Sequence, residues 1–318
     1  MKKIGLLLVL CLAVSAPAQQ PAAAGDQSTP QGTVATNVNF PAERIEAPTY
    51  SDLYCAGFVS KNLLPDVNFV AGGLDTPNTT KYGDGELVYL TGKGYELGKR
   101  YSIVRELRDP NRYETYPGQT AMLKTMGQPY AELGTIRVVD TRSRGAIAKI
   151  EFSCMPIIPG DVVTPFVERA SIPYHRPMHF DRFLPASGKP TGRIVLAKDF
   201  DTELGTGMKV YLNLGANQGI KPGDYFRAAR SYEADLHDPV DSLSFKASTA
   251  DDTQAKPPSI EKNMLTATKG PSIHVADLPR RAVGEIVVLS TTPTTSTGMI
   301  VFAMEDVHIG DVVELDPQ

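Results

Sequence analysis

The chain has no tryptophan, five histidines and only three cysteines among its 318 residues. So few thiols and imidazoles leave little from which to build a zinc cage, and neither Cys-x-x-Cys nor His-Glu-x-x-His occurs. Beyond the N-terminus no run approaches the ~20 apolar residues of a transmembrane helix. Positive charge is in deficit, with 32 Lys and Arg against 36 Asp and Glu. Such a chain has no cationic surplus with which to displace counterions from phosphates, so nucleic acid is not an expected partner. The Gly-x-Ser-x-Gly elbow of hydrolases is missing too. No cofactor is expected.

What is present is 42% hydrophobic residues with 27 Gly and 25 Pro, a composition suited to a turn-rich β protein. Lys2 and Lys3, an apolar run from Ile4 to Val14, and Ala16-Pro17-Ala18 form the three parts of a secretory signal peptide over residues 1–18. Its removal takes the formal charge from −4 to −6 by subtracting the two lysines. Residues 19–50 are rich in Ala, Pro, Gln, Thr and Ser, with too few large apolar residues to offset ordering, and are expected to be a flexible tether. Export places the mature chain in the periplasm or at the cell surface. There Cys55 and Cys154 could form a disulfide; two separately buried thiols are the alternative.

The strongest signal is an internal repeat at an offset of 150 residues. Gly134 to Val163 lies over Gly284 to Val313 without a gap, and ten of the thirty positions are identical. They include Gly134/Gly284, Ile136/Ile286, Val138/Val288, Ile150/Ile300, Phe152/Phe302 and the closing Gly-Asp-Val-Val, which begins Gly160-Asp161 in one copy and Gly310-Asp311 in the other. Chance would give about two identities. Apolar identities two apart have the period of strands with one buried face. Gly-Asp suits a tight turn, so these aspartates are expected to be turn-makers rather than catalysts.

Upstream, Gly85 to Leu90 faces Gly207 to Leu212, Gly98 faces Gly223, and Arg105 faces Arg230. Each copy is read as opening on an apolar stretch after a glycine, Gly57-Phe58-Val59 and Gly192-Arg193-Ile194-Val195. Five or six short strands per unit, with no convincing amphipathic helix, favour a small closed barrel, since closure removes exposed edges. The expected fold is all-β: two tandem SH3-like barrels at 51–167 and 192–318, joined by a Pro-rich linker at 168–191. A polar insert at 231–283 separates the strands of the second unit.

Other constellations are weaker. His175 and His179 with Asp181 have zinc-like spacing, but Pro177 between them blocks the helix that would align them. Asp199, Asp201 and Glu203 alternate as in a calcium loop, yet Leu204 stands where such a loop wants glycine. Gly92 to Gly98 is expected to be a β-turn, because it lacks the Gly-Lys-Ser/Thr of a phosphate loop. The basic stretch Lys99 to Arg112 could meet an anionic partner or protect a strand edge. No metal site is expected.

Gly207 to Arg230, then Val283 to Val288, Ile300-Val301-Phe302 and Ile309 to Val313, resemble the C-terminal region of bacterial envelope proteins named for a peptidoglycan-binding LysM domain. They are more distantly similar to the C-terminal SH3-like domain of flagellar assembly protein T. The LysM repeat itself is not recognisable here. The resemblance implies an envelope location and a β module. The expected function is a non-enzymatic binding or scaffolding module whose partner is an envelope protein or peptidoglycan. The alternatives are a structural subunit of a flagellar or secretion-type assembly, or an envelope hydrolase using His175, His179, Asp199 and Asp201.

Overall fold

The computed structural model describes residues 47–75, 79–110, 113–173, 181–183, 185–231, 279–316 and four short strands between 253 and 274. The expected signal peptide, nearly all of the tether, most of the insert, and His175 and His179 lie outside the described residues.

The first unit runs α1 (Tyr50–Tyr54), β1 (Phe58–Ser60), β2 (Phe69–Gly73), β3 (Leu87–Thr91), β4 (Arg100–Glu106), α2 (Gln119–Met126), β5 (Gln128–Arg142), β6 (Gly145–Ser153) and β7 (Val162–Pro165). The second runs β8 (Thr191–Ala197), β9 (Glu203–Leu204), β10 (Lys209–Leu212) and β11 (Tyr225–Arg230). It continues through the short β12 (Thr253–Gln254), β13 (Ser259–Glu261), β14 (Met264–Thr266) and β15 (Ile273–His274). The unit ends with β16 (Arg281–Thr291), β17 (Ser296–Ala303), β18 (Val307–His308) and β19 (Val312–Leu315).

Each unit closes a six-stranded antiparallel barrel. In the first the ring order is β5-β4-β7-β2-β3-β6, with β6 returning to β5; in the second it is β16-β11-β19-β8-β10-β17. Numbered along the chain within each copy, the two rings have the same order, so the sequence repeat is a repeat of topology. The identities fill the two interiors: Ile136, Val138, Ile150 and Val163 are buried in one barrel, and Ile286, Val288, Ile300 and Val313 in the other.

The shared glycines have a steric reason. A Cβ on Gly134 would stand 2.2 Å from the Phe152 carbonyl oxygen, and one on Gly284 would stand 2.7 Å from that of Phe302. Both lie where the neighbouring strand comes close at a bulge. Gly160 and Gly310 have φ of 95° and 104°, a region closed to most side chains.

Two expectations need correction. β1 is not a barrel strand: among the described residues it pairs only with the start of β5, outside the ring, and the counterpart of β8 is β2. Val70 and Ile194 show the equivalence, since their amides bond the Asp161 and Asp311 carbonyls. The apolar texture of Gly57-Phe58-Val59 arises from a different burial, described below. A helix is also present: α2, between β4 and β5, buries Gln119 and Met126.

Candidate binding cleft at the barrel junction

Residues 49–60 form an arm that belongs to the first unit but covers the second. Thr49 caps α1, its hydroxyl accepting from the Asp52 amide while the Asp52 carboxylate accepts from the Thr49 amide. The buried Leu53, Tyr54 and Ala56 then pack with Tyr225, Val287, Leu289 and Met299 on the outside of the second barrel. Beside them, Val59 and Met126 meet Val195, Leu196 and Tyr211. At ~25 cal/mol per Å² of apolar surface, two clusters of this size make the barrels adhere as one body.

Polar groups fix the register of this contact. The Tyr211 hydroxyl donates to the Ala56 carbonyl at 3.1 Å, Thr297 to Gly57 at 2.9 Å, and Thr295 to Val59 at 2.8 Å. The threonines thus satisfy carbonyls on the free edge of β1. Gly57 has φ of 73°, and a Cβ there would lie 2.5 Å from both the Tyr130 carbonyl oxygen and the Tyr211 hydroxyl. Glu132 accepts from the Gly57 amide at 3.1 Å and pairs with Arg169 at 2.5 and 2.9 Å. Burial raises the Glu132 carboxyl above its ordinary pKa, more than Arg169 pulls it back. Burial also pushes Asp52 up, but bonds from Lys209 at 2.6 Å and from Thr49 outweigh it and leave that carboxyl below its ordinary range.

Beside the arm lies a cleft of about 480 Å³, formed by Val167 to Pro173 after β7, the Pro222-Gly223 turn, Leu289 to Thr291 at the end of β16 with Thr292 after it, and Phe58. Ile172 and Leu289 are buried and give it an apolar floor. Ser171, Ser290, Thr291 and Thr292 supply hydroxyls, and Arg169 is held by Glu132. This combination suits a ligand with apolar and hydrogen-bonding parts.

The other residues singled out in the sequence lie elsewhere. Cys55, at the end of α1, is bonded to Cys154, at the end of β6, which staples the arm to its own barrel. Asp161 and Asp311 make turns, their carboxylates accepting from Ile158 at 2.7 Å and His308 at 2.8 Å. They also hold arginines. Arg105 reaches Asp161 through Nε and Nη2 at 2.7 and 2.8 Å, and Arg230 reaches Asp311 through both at 2.8 Å.

Much of the basic stretch is neutralised within the barrel, with Arg100 on Glu151 and Lys99 on Glu96. Its one strand, β4, has neighbours on both sides, so edge protection is not its role. Asp199 and Asp201, between β8 and β9, and Glu203, which begins β9, are exposed, and no group of three metal-ligating side chains occurs among the described residues. Gly92, Gly94 and Gly98 all have positive φ, as turn glycines do. The junction residues Tyr211, Thr295, Thr297, Glu132 and Arg169 were missed by motif reasoning; for Thr295, Thr297 and Glu132 the signal is divergence between the copies, while Arg169 stands in the linker and has no counterpart. Neither the known family models nor the curated proteins include a match to this chain.

Proposed function

We propose that this protein is a non-enzymatic binding or scaffolding module of the cell envelope, exported to the periplasm or cell surface, which holds an envelope protein or peptidoglycan in the junction cleft. The observation carrying this reading is the cleft itself, whose walls come from Phe58 of the arm, the first residues of the linker and the second barrel, while most of the shared positions are spent on cores and turns. The Cys55–Cys154 bond supports an oxidising compartment. The resemblance to LysM-type envelope proteins supports the same location.

The test uses the mature chain in two assays, sedimentation with purified peptidoglycan and capture of partners from native envelopes. Each is run beside Ser171→Trp, which fills the cleft from its exposed rim. Retention by the parent chain and its loss in the variant is expected. Retention by neither, or equal retention by both, would sink the proposal.

A further inference from the structure

The two barrels share a topology, so each position on the outside of one has a counterpart on the other. On the second barrel, Tyr211 is fully buried beneath the arm. Its counterpart Tyr89 is 43% exposed, and its hydroxyl makes no hydrogen bond among the described residues. Around Tyr89 the first barrel keeps an apolar surface: Tyr89 pairs across the sheet with the half-buried Ile147, and Val139, counterpart of the buried Leu289, is 45% exposed.

The cation of the site is kept as well, moved across one strand. On the second barrel Lys209 of β10 faces Met299 of β17, and Lys209 binds Asp52 of the arm. On the first barrel Leu87 of β3 faces Lys149 of β6, so lysine and apolar residue have exchanged strands. Lys149 is exposed and makes no ion pair among the described residues. Arg137 faces Lys149 from β5, Arg100 stands one strand further on, and the two share the carboxylate of Glu151; Asp140, which faces Ile147, is paired with Arg142, so this face carries a net positive charge on an acidic protein.

We infer that the face around Tyr89 is a second docking surface, for an acidic, partly apolar peptide segment of a partner protein that lies on the first barrel as residues 49–60 lie on the second. Tyr89 donates to a main-chain carbonyl of the segment, Ile147 and Val139 cover its apolar side chains, and Lys149 pairs with its carboxylate. An arm like that of this chain needs an acidic side chain shortly before an extended stretch, as Asp52 precedes Ala56. Charge complementarity favours such a segment over a neutral or basic one. This surface is separate from the junction cleft and does not depend on it.

The probe is a synthetic peptide of residues 49–60 carrying Cys55→Ser, titrated into the isotope-labelled mature chain with amide shifts as readout. Shifts at Tyr89, Ile147 and Lys149 are expected. Lys149→Glu in the protein, or Asp52→Lys in the peptide, should each weaken binding by about tenfold or more. Ser171→Trp should leave peptide binding unchanged, which separates this surface from the cleft. Absence of shifts at millimolar peptide, shifts confined to β10 and β17, or undiminished binding by Lys149→Glu would overturn the inference. Lys149 is exposed, so that variant leaves the barrel interior intact.

Discussion

The hydroxyl of Tyr211 on the second barrel donates a hydrogen bond to the carbonyl of Ala56 in the arm of the first, and it does so from a fully buried position. The same tyrosine of the repeat, Tyr89, stands half in solvent on the other barrel. One residue type at one place in one topology thus has two fates, decided by whether the arm lies over it.

Tyr211→Phe removes the donor and leaves the Ala56 carbonyl buried without it, an unsatisfied acceptor that costs ~1–3 kcal/mol. Tyr89→Phe, in solvent, should change stability by less than ~0.5 kcal/mol. Urea unfolding of the two variants beside the parent reads the difference, and equal losses would contradict the role given to Tyr211.

The paired arginines should not be equal either. Arg230 and Asp311 have side chains 6% and 3% exposed, while Arg105 is 30% exposed above its Asp161. Breaking a buried pair from one side strands the other charge, at ~3–5 kcal/mol, whereas water can reach a half-open site. Arg230→Met is therefore expected to lower stability clearly more than Arg105→Met, as measured by chemical denaturation.

Glu285 gives the fold a pH dependence. It is 4% exposed on β16 between Arg227 and Phe302, and one carboxylate oxygen is buried without a hydrogen bond among the described residues. Burial, with the Asp316 charge adding to it, pushes its pKa up to about 7 against an ordinary 4.5, and Arg227 only partly opposes this. Between those values the folded state holds a proton that the unfolded state has lost, so stability falls as pH rises from about 4.5 to 7. Glu285→Gln should flatten that part of a thermal-stability profile; an unchanged slope would contradict the assignment.

The barrels were legible in the sequence because their interiors obey the period of two and their turns require glycine at Gly160 and Gly310. The junction was not legible. Val287, Leu289, Met299 and Val301 cover the second barrel where Arg137, Val139, Lys149 and Glu151 stand on the first. Read within one strand, such a contrast is only a two-sided apolar strand beside a one-sided one. Its meaning comes from the arm, which buries the outside of one copy and leaves the other to water. The Asp161 and Asp311 turns were foreseen, whereas their arginine partners sit 56 and 81 residues away in sequence and meet them only because β4 pairs with β7 and β11 with β19.

The arm and the two buried clusters join both repeats into one body, with the cleft at its seam. Native-state amide exchange under increasing denaturant tests it most directly, because each amide reports the free energy of the opening that exposes it. Core amides of the first barrel, such as Ile103 and Ile136, and of the second, such as Phe226 and Ile286, are expected to merge into a single global opening. A second barrel that opens at markedly lower free energy while the first stays protected would contradict it.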